Sequence, residues 1–90
     1  MSVTHALKIL PAYYADVYHG VKTFEVRKHN RPFETGDDLL LREWQPDGGT
    51  DGGGYYTGRS LVARVTYLLK EPDYCKEGFC IMGIRVAARS

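Results

Sequence analysis

Apolar and polar positions along this chain switch between a two-residue and a near-four-residue period, and each switch marks an element. From His5 to Leu10, Leu7 and Ile9 alternate with Ala6, Lys8 and Leu10, which reads as a first strand. Pro11 opens something different. Its fixed φ suits a first helical position, Tyr14, Val17, Tyr18 and Val21 follow at helical spacing, and Gly20 stands near the end. The spacing predicts a helix of roughly two to three turns, its aromatic stripe covering the core, with Tyr13 off the stripe and within reach of Lys22. Thr23–Lys28 returns to period two, with Phe24, Val26 and Lys28 on one face and Thr23, Glu25 and Arg27 on the other. Phe24 and Val26 suit a core, so Glu25 and Arg27 are expected on the opposite face, with Lys22 at the strand entry.

Lys28–Pro32 is basic and turn-prone, and Phe33–Asp37 makes a turn in which Gly36 suits positive φ. In Asp38–Trp44, Leu39 and Leu41 alternate with Leu40, Arg42 and Trp44, so both faces carry apolar residues and the strand is expected to be central. Arg42 and Trp44 share a face, as core or as an Arg–aromatic surface on which a base can stack. Gln45–Gly58 is rich in glycine but lacks the Lys-Ser/Thr and helix of a phosphate-cradling loop, and is expected to be a flexible hairpin loop or a flap. Arg59–Leu69 is the longest strand candidate, with Leu61, Ala63, Val65, Tyr67 and Leu69 on one face. After a loop containing Pro72, Phe79–Val86 closes the pattern, and 87–90 are expected to fray. About five strands with one short helix after the first describe an α+β, mostly β fold, a small and mostly antiparallel barrel.

Ninety residues hold one domain, 1–90. No apolar run approaches the ~20 residues of a membrane span, and the N-terminus lacks a signal-peptide pattern, so a cytoplasmic, membrane-free protein is expected. A net charge of +1 gives no global attraction to nucleic acid. The charge is instead local: between Lys22 and Arg31, the cations Lys22, Arg27, Lys28 and Arg31 face one anion, Glu25. Cys75 and Cys80 fit neither a redox pair nor a zinc set, so no metal or cofactor is expected and both read as free structural thiols.

Gly20-x-Lys22-x-x-Glu25-x-Arg27 resembles the G-x-K-x-x-E-x-R signature of the ASCH superfamily, whose members adopt a PUA-like β-barrel. His5–Ile9, Arg31–Asp37, Leu41–Trp44, Tyr56–Arg59, Val65–Tyr67 and Ile81–Ile84 resemble, in the same order, a bacterial and phage subfamily of unknown function. The resemblance implies an antiparallel barrel with the signature in a cleft beside the helix, and RNA or a nucleotide as its ligand. Lys22, Glu25 and Arg27 would form the centre of that cleft, and Lys8, Thr23, Lys28, Arg31, Arg42 and Trp44 its walls.

Two alternatives stand beside nucleic-acid binding. Some ASCH-like proteins resemble amidohydrolases that deacetylate acetylcytidine with the signature lysine, a threonine three residues later and a downstream glutamate. Here Lys22 matches, but Glu25 replaces the threonine. Thr23 is the only nearby hydroxyl, and neither Glu71 nor Glu77 has a motif around it. Catalysis would therefore rest on Lys22 with Thr23 or Glu25. The other alternative is a protein-interaction domain whose signature charges pair internally.

Overall fold

A computed structural model describes residues 2–49 and 51–89. Its elements run β1 (Thr4–Ile9), α1 (Pro11–Tyr18), β2 (Phe24–Lys28), β3 (Asp38–Pro46), β4 (Gly54–Leu69) and β5 (Phe79–Arg89). The five strands form one mixed sheet in the order β1-β3-β4-β5-β2. Only β1 and β3 pair in parallel; the other three neighbours are antiparallel. Pro11 does start the helix, which places Tyr14 and Val17 in the core. The helix has the expected two turns and ends just before Gly20, but Val21 lies beyond it, largely exposed, rather than on its apolar stripe.

One cluster makes the core: Leu7 and Ile9 from β1, Tyr14 and Val17 from α1, Leu39 and Leu41 from β3, Leu61, Ala63 and Val65 from β4, and Cys80, Met82 and Ile84 from β5, with Phe33 between strands. Both cysteines are free and buried. Burial raises the Cys80 thiol's pKa, with Cys75 adding to it, and Cys75 Sγ donates to Leu69 O at 3.4 Å.

Three expectations fail, the first two for a reason of register. Phe24 and Val26 do not enter the core. They are 46% and 49% exposed, while Glu25 is 3% exposed. The pairing of β2 with β5 sets Glu25 against Met82 and Arg27 against Cys80. Cross-strand partners share a face, and Met82 and Cys80 are fully buried, so β2 must present Glu25 and Arg27 inward. Tyr67, assigned with Leu61 and Val65, is 66% exposed because the β4–β5 register shifts between Val65 and Tyr67. Leu68 packs against the core instead.

The third concerns loop and tail. Strands reach further into 45–58 than glycine content suggested, leaving only 47–53 between β3 and β4, of which Thr50 lies outside the described residues. Asp47 and Asp51 accept from the backbone N–H of Gly49 and Gly53 (2.8 and 2.9 Å), and Asp47 N–H donates to Gly53 O, which closes the hairpin. The tail pairs as well: Ala88 and Arg89 lie opposite Val62 and Leu61. Ser90 lies outside the described residues.

Although β1 and β2 stand at opposite ends of the strand order, Arg27 Nη2 on β2 donates to Lys8 O on β1 at 2.8 Å. The sheet is therefore curled until its edges face each other. Among the described residues no backbone ladder joins them, so hydrogen bonding does not complete the expected barrel. What remains is an open seam.

Candidate binding cleft in the seam

The helix terminus delivers the first residue of the cleft. Gly20 takes φ 76°, its N–H bonds Val17 O, and Val21 N–H bonds Asp16 O. These are the paired bonds of a Schellman motif, in which a left-handed residue, best filled by glycine, stops a helix. Lys22 N–H bonds the same Asp16 carbonyl at 3.0 Å, which fixes the lysine backbone to the helix end.

β2 continues from there with alternating backbone directions. Thr23 O accepts from Ile84 N–H and His29 N–H donates to Gly78 O, so the odd-numbered residues bond to β5. The backbone groups of Phe24 and Val26 then turn toward the seam. Lys22 Nζ uses one of them, donating to Phe24 O at 2.6 Å, and also bonds Glu25 Oε1. The other Glu25 oxygen accepts from Arg27 Nε at 2.9 Å, and Arg27 extends to Lys8 O across the gap. A buried carboxylate thus orients two cations, and its own lone pairs are used in doing so.

Around this chain of bonds is a cleft of about 530 Å³, within the range that holds small organic ligands. Ile9, Leu10, Tyr13, Phe24 and Val26 supply apolar surface, and Lys8, Lys22 and Arg27 supply positive charge. Lys22 Nζ stands 4.9 Å from the centre of the Phe24 ring and 5.7 Å from that of Tyr13. Two depressions adjoin the cleft. One, of about 330 Å³, shares Val26 and Arg27 with it and adds Lys28, Asn30 and Arg31. The other, of about 280 Å³, shares Lys22 and adds Thr23, Arg85 and Arg89.

The structure therefore gathers Lys22, Glu25, Arg27 and Lys8, and puts Lys28 and Arg31 next door. Thr23 borders a different depression from Glu25. Arg42 and Trp44 lie on the outer face of the sheet, where Lys8 Nζ stands 3.9 Å from the Trp44 ring centre. Among the described residues, no His, Cys, Asp and Glu side chains gather as a metal site.

Sequence reasoning missed a second buried carboxylate. Glu43, 1% exposed, accepts from Thr57 Oγ1 at 2.7 Å and takes both Arg59 Nε and Nη2 at 2.9 Å. These bonds, Arg59's above all, hold its pKa below the ordinary 4.5 against the effect of burial. Arg59 in turn stands 5.3 Å from the Tyr14 ring centre, and Tyr14 donates to Ser60 O at 3.1 Å. The signal was parity: Glu43 continues the Leu39, Leu41 series, and Thr57 and Arg59 that of Leu61 and Ala63.

Residues 4–84 match the family described as a domain of unknown function (DUF3850), and the chain belongs to that family. It is similar to an uncharacterized 12.9 kDa protein in the GpA 3' region of Escherichia phage P2, 34% identical over 77 residues. The similarity covers 86% of this chain and 64% of the phage protein, so the chain spans less than two thirds of that relative's length.

Proposed function

We propose that the protein binds RNA or a nucleotide in the seam between β1 and β2, as an ASCH-type domain on a PUA-like barrel with its barrel wall open at the ligand site. One observation carries the reading. Seven of the twelve Lys and Arg residues border the cleft and its two adjoining depressions, and Glu25 is the only carboxylate among the lining residues. A chain of net charge +1 has concentrated its positive charge along one groove. Such a groove suits phosphate, while Tyr13 and Phe24 offer rings against which a base can pack.

The signature resemblance supports the same reading, since Lys22, Glu25 and Arg27 form its centre. The catalytic alternative gains less. Lys22 Nζ is engaged by Phe24 O and Glu25, and Thr23 borders the depression beside Arg85 rather than the cleft that holds Glu25.

The test is an NMR titration with short RNA, matched DNA and acetylcytidine at low and moderate salt, repeated on Lys22→Ala and Arg27→Ala. The expected result is a set of shifts on Lys22–Arg31 that weakens as salt rises, with log affinity falling about 0.7 per phosphate contact per decade of salt. Either substitution should reduce affinity about tenfold. Binding indifferent to salt, or no shifts with any ligand, overturns the proposal in favour of protein interaction. Release of acetate from acetylcytidine would overturn it in favour of catalysis.

A further inference from the structure

The outer face of the sheet holds an arrangement that the cleft does not need. Lys8 on β1 lies opposite Arg42 on β3, two like charges in direct register, a pairing that costs stability. Among the described residues neither cation forms an ion pair. Each rests on an aromatic ring instead. Lys8 Nζ is 3.9 Å from the Trp44 ring centre and Arg42 Cζ is 3.7 Å from that of Tyr56, close enough for cation–π attraction. Trp44 and Tyr56 are cross-strand partners in edge-to-face contact, with centres 4.9 Å apart. The result is a ladder, Lys8–Trp44–Tyr56–Arg42, running across three strands.

The backbone is shaped to hold it. A Cβ on Gly54 would come within 2.9 Å of the Trp44 indole and would also press on Gln45 O, so the lack of a side chain there leaves room for the indole beside β4. Glu43 faces inward in step with Leu39 and Leu41 and Arg42 faces outward; the β3–β4 register shifts between Arg42 and Trp44, and Trp44 lies partly exposed beyond it. Tyr56 is 39% exposed. Lys8 belongs to both places, lining the cleft and capping the ladder.

We propose that this ladder is a stacking platform for unpaired bases, on which a single-stranded polynucleotide continues after leaving the cleft over Lys8. The inference rests on the cleft reading and extends it from one nucleotide to a strand. Phosphate would draw the Lys8 ammonium off the indole and expose its face. The planar Arg42 guanidinium, backed by Tyr56, offers a second surface for a base. Paired bases in a duplex have no free face to lay on either ring, so a single strand is the partner the chemistry fits.

Trp44 is the only tryptophan in the chain, so its fluorescence reports on the platform alone. The experiment titrates the protein with uridine monophosphate, with oligouridylate and oligothymidylate of about eight residues, with a duplex of the same length, and with polyglutamate. The expected result is that a single strand quenches Trp44 and binds about tenfold or more tightly than the mononucleotide. Tyr56→Ser should abolish that gain while leaving the mononucleotide affinity unchanged, and Tyr56→Phe should restore it. Whether oligouridylate or oligothymidylate binds better identifies the strand as RNA or DNA.

If oligonucleotide and mononucleotide bind equally, with no quenching and no effect of Tyr56→Ser, the platform is refuted while the cleft stands. Equal quenching by polyglutamate or duplex also refutes it. If no nucleotide of any length binds, the cleft reading falls and the platform with it.

Discussion

Glu25 and Glu43 are both carboxylates buried on the inner face of the same sheet, yet they do different work. Glu43 is held from the neighbouring strand by the fork of Arg59 and by Thr57, so its bonds fasten β3 to β4 where the register shifts. Glu25 is held by residues of its own segment, Lys22 and Arg27, whose remaining donors reach the backbone of Phe24 and Lys8 around an open cleft. One carboxylate closes a hairpin and the other aims cations at a cavity. A buried ion pair therefore says little about function by itself. What matters is where its partners' other atoms face.

The largest expected effect breaks that comparison directly. Glu43→Ala removes three hydrogen bonds and leaves a void at a fully buried position, at a cost of about 3 kcal/mol. Glu25→Ala should cost only about 1–2 kcal/mol, because water in the cleft takes over the donors of Lys22 and Arg27. Urea unfolding of the two variants measures both losses. The comparison fails if the losses are equal, or if Glu25→Ala is the more damaging.

Much of this was readable from the amino acids alone, and the parts that were not share a cause. The strands, the helix start at Pro11 and the grouping of Lys22, Glu25 and Arg27 followed from periodicity and a resembling signature. The facing of β2 did not, because alternation gives two faces without saying which is inside. Phe24 and Val26 looked like core residues, and only pairing with Met82 and Cys80 of β5 decides otherwise. The outward turn of Tyr67 likewise depends on a register shift set by the partner strand. Glu43 was legible by parity with Leu39 and Leu41, but a carboxylate on a core face makes sense only once Arg59 is seen opposite it.

Acid should test the Glu43 clamp at the next scale of effect. Arg59 and Thr57 hold the folded Glu43 below its ordinary 4.5. Burial pushes Asp37 up, but His5 and the N–H groups of Val3 and Glu34 outweigh it and hold Asp37 below 3.8. A depressed folded pKa contributes stability that is fully present above the unfolded value and is lost as pH falls through the folded value. Stability should therefore begin to fall below about pH 4.5, by up to about 1.4 kcal/mol per pH unit for each group. Glu43→Gln should remove its share of that slope and leave the share of Asp37. Urea midpoints measured from neutral pH down to about pH 3 test this, and a slope unchanged in Glu43→Gln would show that the clamp does not set the acid limit.

The smallest effect tests the face on which the comparison depends. Val26 stands between Glu25 and Arg27 in sequence but points away from the core, 49% exposed at the rim of the cleft. Val26→Thr keeps the β-branched shape and adds a hydroxyl. In a core that hydroxyl would be buried without a partner and would cost about 1–3 kcal/mol. On an outward face it meets water, and the change should stay within about 0.5 kcal/mol. Ligand affinity should fall more than stability, because Val26 forms part of the apolar rim shared by the cleft and its neighbour. A large stability loss would mean that Phe24 and Val26 face the core after all, so that Glu25 and Arg27 point outward and the cleft loses its centre.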